Sequence, residues 1–166
     1  MDILERWYTA HADAVFAFAL NLTRDAADAQ DVLQEVFRRL AERDEWPEEL
    51  RSERAFLLTL THRAVLDEAR ARKRRERRHE FLAESSTDLF ASTPDPDEAA
   101  FRKALSAAML ELPESQRVVA HLKLWEGWTF EEIGALLGIP ANTASSRHRY
   151  ALEKLRTQLR PIYEEI

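Results

Sequence analysis

Residues 142–149 form a polar and basic segment whose side chains can recognise DNA. Asn pairs well with adenine, Arg pairs with guanine, and Ser and Thr hydroxyls can hold phosphates. The segment carries six such residues: Asn142, Thr143, Ser145, Ser146, Arg147 and Arg149. Upstream, Thr129 and Glu132 have capping-box spacing and Gly138 suits a tight turn. The pattern predicts a helix-turn-helix, although an ordinary helical hairpin with a solvated polar face has similar features.

A second group of candidate DNA contacts lies in residues 70–78, where seven of nine residues are Arg or Lys. They continue a helix predicted over residues 53–78, whose exposed face also carries Thr59, His62, Arg63, Asp67 and Arg70. Such a surface can neutralise several phosphates, which predicts steep salt dependence of binding. Taken alone, a basic run of this length also fits a solvated or disordered segment.

The helix predicted between residues 26 and 43 leaves a polar face opposite its apolar stripe. This face carries Asp28, Asp31, Gln34, Glu35 and Arg38. These residues lie at helical neighbour spacing. The face is therefore either simply solvated or a docking surface for a basic helix of a partner.

Composition excludes several classes of protein. The 166 residues include no cysteine and only three glycines, which rules out disulfides, thiolate zinc sites and Gly-rich phosphate loops. The five histidines are scattered and match no catalytic motif, so we expect no enzyme activity, no metal, no cofactor and no small-molecule substrate. No stretch is apolar enough to span a bilayer, so we expect a cytoplasmic protein without membrane insertion. The net charge of −6 averages over the basic cluster and says little about partners.

Helical periodicity runs through almost the whole chain and strand signals are nearly absent, which predicts an all-α protein. We expect two small helical domains, residues 1–78 and 100–166, joined by a flexible acidic linker over residues 79–99. In the first domain the helices cover residues 2–22, 26–43 and 53–78, with Trp46 in the intervening loop. In the second, helices begin near residues 100, 113, 130 and 140, and the last runs to residue 160. Apolar residues in the linker (Phe81, Leu82, Leu89 and Phe90) either pack on a neighbouring domain or insert into a partner's groove.

Four segments together resemble the extracytoplasmic-function (group 4) sigma factors of bacterial RNA polymerase, in the sigma-70 family. They are DAQDVLQEVF at 28–37, AFLLTL through LDEAR at 55–70, LPESQR at 112–117, and GWTFEEIG at 127–134 with Ser146-Arg147 and LEKLR at 152–156. Each segment is moderately specific, and together they cover most of the chain outside the linker.

The resemblance implies a promoter-specificity subunit that binds core polymerase, recognises two upstream promoter elements and promotes melting. Core polymerase would be bound at its clamp coiled coil by Asp31, Gln34, Glu35 and Arg38. The polymerase flap would be a further contact of the protein. The proximal element would be held by Trp46, His62, Arg63, Asp67, Arg70, Arg72, Lys73, Arg74 and Arg75. The distal element would be read by Asn142, Thr143, Ser145, Ser146, Arg147 and Arg149. An anti-sigma factor is an expected partner.

Three residues depart from the common family pattern. Arg63 stands where the family often has Asn, and Asn142 and Ser145 stand where many members have Gly and Lys. The last two differences imply a distal element of different sequence. Two alternatives remain open: a sigma-like mimic that binds an anti-sigma factor without touching promoters, and a helix-turn-helix regulator that binds DNA as a symmetric dimer.

Overall fold

A computed structural model describes residues 2–47, 49–76 and 95–164, and within these ranges the chain is helical and contains no strand. Helices α1 (Ile3–Thr23), α2 (Ala26–Ala41) and α3 (Glu53–Glu76) form one compact unit. Helices α4 (Pro96–Glu111), α5 (Glu114–Leu124), α6 (Phe130–Leu137) and α7 (Ala141–Glu164) form a second. The all-α prediction is confirmed. Of the linker predicted over residues 79–99, residues 79–94, with the apolar residues, lie outside the described residues.

The first unit is a three-helix bundle whose chain reversals are set by local capping. Arg24 adopts φ 60° and its N–H donates to the Leu20 carbonyl at 2.8 Å, which ends α1. Asp25 then caps α2, since its side chain accepts from the Asp28 N–H at 2.9 Å. The core between the helices is apolar, and its largest fully buried side chains are Phe18, Leu20, Leu40, Leu57 and Leu58.

The second unit begins earlier than the sequence analysis predicted, because α4 starts at Pro96 rather than near residue 100. Asp95 caps this helix by accepting from the N–H groups of Asp97 and Glu98 at 3.0 and 3.4 Å. Pro96 occupies the first turn, where its missing N–H costs nothing and its fixed φ favours the helix. The acidic segment that resembled the end of a linker is therefore the N-terminal turn of a helix.

Two other helix ends differ from their predicted positions. Helix α2 ends at Ala41 rather than near residue 43. Just after this end, the Arg43 N–H donates to the Leu40 carbonyl, which closes a tighter turn than that of an α-helix. Helix α7 continues through Pro161 to Glu164, past the predicted end at residue 160. A proline so near the C-terminus disturbs only the last turns, so the helix tolerates it.

Candidate polymerase and nucleic-acid interfaces

The polar face of α2 is organised around the carboxylate of Glu35. Arg38 donates to it from Nε at 2.8 Å and from Nη2 at 2.9 Å, and Arg39 donates from Nε at 2.6 Å. The hydrogen bonds from Arg38, and then those from Arg39, lower the pKa of Glu35 to about 2. Glu35 is therefore ionised at any physiological pH, while Asp31 and Gln34 lie exposed beside it on the same face.

Arg39 links this face of α2 to α3. Its Nη1 donates to Asp67 Oδ2 at 2.9 Å, so one guanidinium joins Glu35 to Asp67. Arg39 was not among the residues predicted for this face, although its i,i+4 spacing from Glu35 was a usable signal. Asp67, predicted to face the proximal element, is thus also part of an ion-pair network with α2.

A groove of about 400 Å³ lies between α2 and α3 beside this network. Its lining combines four carboxylates with small apolar side chains and the Arg39 guanidinium. The lining residues are Asp31, Val32, Glu35, Arg39, Ala64, Asp67, Glu68 and Ala71. Two of the four polymerase-binding residues predicted on α2, Asp31 and Glu35, therefore border a largely acidic groove.

The basic end of α3 is partly neutralised by α2. Arg72 Nη2 lies 2.6 Å from Asp28 Oδ1, while Lys73 and Arg74 are exposed. Arg74 Nε donates to the Arg70 carbonyl at 3.3 Å, along the helix. The side chain of Arg75 lies outside the described residues. The structure therefore gives Arg72 an acidic neighbour within the unit and leaves Lys73 and Arg74 facing solvent.

The predicted DNA-facing surface of α3 continues toward its N-terminal half. Arg63 and Arg70 are exposed, and His62 is half-buried. Leu57, Leu58 and Ala64 are buried on other positions of the helix. One helix thus packs Leu57, Leu58 and Ala64 in the bundle and presents Arg63 and Arg70 outward.

Trp46 lies in the loop between α2 and α3 and is half-buried rather than fully exposed. Its ring packs at 90° to that of Trp7, with 5.1 Å between centroids. Trp7 belongs to α1 and is 2% exposed. Nothing in the sequence pattern pointed to this pairing, because the spacing of Trp7 along its helix indicates burial in the core but no particular partner.

The second unit contains the predicted helix-turn-helix in α6 and α7. Thr129 Oγ1 accepts from the Glu132 N–H at 3.1 Å, and Glu132 Oε2 accepts from the Thr129 N–H at 2.9 Å. The capping box is therefore confirmed. Gly138 ends α6 with φ +69°, a conformation that glycine adopts without strain.

Gly134 brings the turn close to α6. A Cβ added at this residue would lie 2.6 Å from the carbonyl oxygen of Ile139 and 3.4 Å from the N of Ala141. The Ile139 N–H also donates to the Gly134 carbonyl at 3.0 Å. The absence of a side chain at Gly134 thus permits the turn backbone to pack closely against α6.

The predicted base-reading residues occupy the first two turns of α7. Ala144 and Ala151 are fully buried and hold this part of the helix against the unit. Asn142 and Arg149 are exposed, and the Arg149 guanidinium lies 5.3 Å from the ring centroid of Tyr150. The half-buried members of the set are Thr143, Ser145, Ser146 and Arg147.

His148 in α7 packs against α6 and was not singled out by the sequence pattern. The centroid of its ring lies 5.5 Å from that of Phe130, and Lys123 Nζ lies 4.5 Å from the Phe130 centroid. Its Nε2 is buried and has no hydrogen-bond partner among the residues that the structure describes. Burial, and then the nearby Lys123 ammonium, lower the pKa of His148.

Neither a metal cluster nor a membrane-spanning helix is present in the described ranges. No group of three or more His, Cys, Asp or Glu side chains there could hold a metal ion. Among the helices of the same ranges, none is long and apolar enough to cross a membrane.

Family models match both units. Residues 7–75 match the model for Sigma-70 region 2, and residues 108–157 match that for Sigma-70, region 4. In solved structures, the fold is similar to that of the sigma factor RpoE from Bartonella quintana, determined in complex with the anti-sigma factor NepR. That comparison has a TM-score of 0.74 and 24% identity, and covers 94% of this chain and 96% of the other.

Similar proteins span nearly the whole chain. The ECF RNA polymerase sigma factor SigL of Mycobacterium tuberculosis is 33% identical over 96% of this chain and 90% of its own. CarQ, an RNA polymerase sigma factor of Myxococcus xanthus, is 30% identical over 99% of this chain and 94% of its own. The sigma-E factor of Streptomyces coelicolor is 34% identical, with coverage of 93% and 85%. The chain therefore belongs to the extracytoplasmic-function group of the sigma-70 family, the promoter-specificity factors of bacterial RNA polymerase.

Proposed function

We propose that each unit has a separate task in transcription initiation. The first unit docks on the polymerase clamp through α2 and holds the proximal promoter element with α3 and the loop before it. The second unit reads the distal element as duplex DNA with the start of α7, and contacts the polymerase flap. The observation that supports this proposal most is the orientation of α3. This helix buries one side in the bundle and exposes on another side Arg63, Arg70, Lys73 and Arg74.

Docking on polymerase rests on the charge of the α2 face. The Glu35 carboxylate is bonded by two guanidinium groups, which lower its pKa, and Asp31 and Gln34 lie exposed next to it. An acidic helical face of this kind complements a basic helix of a partner and steers its approach. Arg38 is bonded to both Glu35 and Glu42, so we propose that it orders the carboxylates that meet the clamp.

Promoter melting requires no catalytic group in this proposal. Bases that leave the stack cost a few kcal/mol each, and their capture by the protein offsets this cost. The basic residues of α3 hold the neighbouring backbone, so duplex opening depends on salt. We therefore propose a non-catalytic protein that acts on polymerase in the cytoplasm.

Recognition of the distal element follows from the geometry of α6 and α7. The capping box fixes the start of α6, the turn backbone packs closely on Gly134, and the N-terminal turns of α7 carry Asn142 and Arg147. In a helix-turn-helix these turns enter the major groove. We propose that Asn142, Arg147 and Arg149 reach base edges or phosphates while Thr143, Ser145 and Ser146 position the helix.

An anti-sigma partner is also proposed. The Bartonella sigma factor with the same fold was solved with NepR, an anti-sigma factor. The acidic groove between α2 and α3 offers an interaction surface on the first unit of this chain. Such a partner would compete with polymerase for the α2 face.

Transcription in vitro tests the proposal directly. Purified full-length chain is added to bacterial core polymerase with a library of promoter sequences, and the transcripts are sequenced. Specific initiation from templates that share two spaced elements is the expected result. Core enzyme alone is the control. If the chain binds an anti-sigma factor but starts no RNA on any template, the mimic is correct instead. Protection of a palindromic site without polymerase would favour the dimeric regulator.

A further inference from the structure

The loop between α2 and α3 rests on an aromatic pair. Trp46 meets Trp7 with centroids 5.1 Å apart and ring planes at 90°. Trp7 is almost completely buried, whereas Trp46 is half-buried. Perpendicular packing at this distance is a favoured geometry for aromatic rings. Trp46 therefore fastens the middle of the loop to the core of the bundle.

The start of the same loop is held by a neighbouring ring. Phe56 of α3 packs against Trp7 with centroids 6.1 Å apart and planes at 73°. The Arg43 guanidinium lies 5.4 Å from the Phe56 centroid, within the range of a cation–π contact. Arg43 and Trp46 thus attach two points of the loop to one aromatic cluster centred on Trp7.

The end of the loop is held by polar groups of α1. Glu53, the first residue of α3, accepts from Arg6 Nη2 at 2.8 Å and lies 3.4 Å from His11 Nε2. Ser52 Oγ accepts from the Ala55 N–H at 3.2 Å, which caps α3. Helix α1, on which no DNA contact was predicted, therefore supports the middle and the end of the loop.

We propose that Trp46 is a loop anchor rather than a base-stacking residue, and that Trp7 is a positioning residue for melting of the proximal element. The inference rests on the proposed function. Arg43, Asp44, Glu45, Glu49 and Arg51 of the same loop are exposed and polar. Fixing such a loop before DNA arrives reduces the entropy lost when a base is captured.

A double-mutant cycle tests this coupling. Trp7→Leu, Trp46→Leu and the double variant are compared in polymerase complexes, with opening followed by 2-aminopurine fluorescence in the proximal element. Each single variant is expected to slow opening about tenfold, and the double variant no more than either single one. Effects that multiply would show that Trp46 contacts the base independently of Trp7, and would overturn the proposal.

Controls separate positioning from loss of folding. Tyr8→Leu removes another aromatic side chain of α1, which is exposed and packs on Phe37 rather than on the loop. This variant is expected to leave promoter opening unchanged. Polymerase affinity and thermal unfolding are measured for each variant. Trp7→Phe keeps an aromatic ring at this position, so it should open the promoter faster than Trp7→Leu does. If Trp7→Leu does not fold, Arg43→Gln replaces it in the cycle. Opening that falls only in proportion to lost polymerase binding would contradict a positioning role.

A measurement without polymerase keeps this inference distinct from the proposed function. The full chain labelled with 5-fluorotryptophan has four tryptophans, which Trp→Phe variants assign in a ¹⁹F spectrum. Trp7→Phe should shift the Trp46 resonance, whereas Trp128→Phe should not. An unmoved Trp46 resonance would refute the anchor even if transcription succeeds. A shifted one would support it even if no promoter opens.

Discussion

Arg72 of α3 holds Asp28 of α2 at 2.6 Å, so a residue predicted to bind DNA is already paired with a carboxylate of the neighbouring helix. The Arg72 side chain is 47% exposed and that of Asp28 is 22% exposed. Pairs this accessible contribute about 0.2–1 kcal/mol, which a DNA phosphate can outweigh. In the proposed promoter complex, Asp28 would therefore compete with DNA for Arg72 without preventing binding.

Asp28→Asn should strengthen DNA binding through this competition. The neutral amide releases Arg72 toward phosphate, so the slope of log K against log salt should steepen, by up to about 0.9 for one added phosphate contact. The slope is measured with polymerase complexes on a promoter fragment. Asp13→Asn, an exposed carboxylate of α1, is the matched control. Equal slopes for Asp28→Asn and the unmodified chain would contradict the competition.

Replacing Arg72, Lys73, Arg74 and Arg75 with Ala should weaken promoter complexes and flatten their salt dependence. Each lost phosphate contact lowers the slope by about 0.9. Lys73→Ala and Lys103→Ala form a matched pair, because both lysines are exposed but only Lys73 lies on α3. Only Lys73→Ala should change the slope. Opening by the fourfold variant that persists unchanged at raised salt would count against the basic surface.

Arg147→Ala should impair the distal element selectively. An arginine that pairs with a base contributes about 1–3 kcal/mol of discrimination, so binding should fall about 5- to 150-fold on the preferred sequence. Footprints over both elements measure the effect. Arg156→Ala, an exposed arginine further along α7, is the control. A normal footprint over the distal element would exclude this role for Arg147.

Gly134→Ala should disturb the helix-turn-helix more than Gly138→Ala. At residue 134 the added Cβ would meet the Ile139 carbonyl at 2.6 Å, so backbone must move. At residue 138 there is space, and the cost is the left-handed conformation, about 1–2 kcal/mol. Thermal unfolding and distal-element footprints distinguish the two. Ala135→Ser, at an exposed position of α6, is the control. Equal losses for both glycine variants would refute the close-contact explanation.

The second unit should lose stability as the pH falls below about 6.5, because burial lowers the pKa of His148 from that ordinary value. Below it, the unfolded chain binds a proton that the folded unit resists, so acid favours unfolding. His148→Leu removes the titrating group and should reduce the fall in Tm between pH 7.5 and 5.5. An identical fall in the variant and the unmodified chain would assign the pH dependence to other groups.

Local patterns determined much of this protein from sequence alone. The capping box of Thr129 and Glu132 and the turn at Gly138 involve residues within one turn of a helix, so spacing is sufficient to predict them. The same holds for Asp95 and Pro96, whose capping signal was present but was read as linker. The all-α fold class and the basic face of α3 follow from the periodicity of the sequence. Periodicity can be recognised without knowing which helices pack together.

Contacts between helices were decided only by the tertiary structure. Arg39 and Asp67 are 28 residues apart in the chain, and their pairing depends on how α2 and α3 cross. The Trp7–Trp46 contact depends likewise on the loop folding back over α1. Helical spacing tells which side chains share a face of one helix, but packing of the whole bundle decides which faces meet. The charged and aromatic residues can thus be identified from sequence, whereas their contacts depend on how the helices pack.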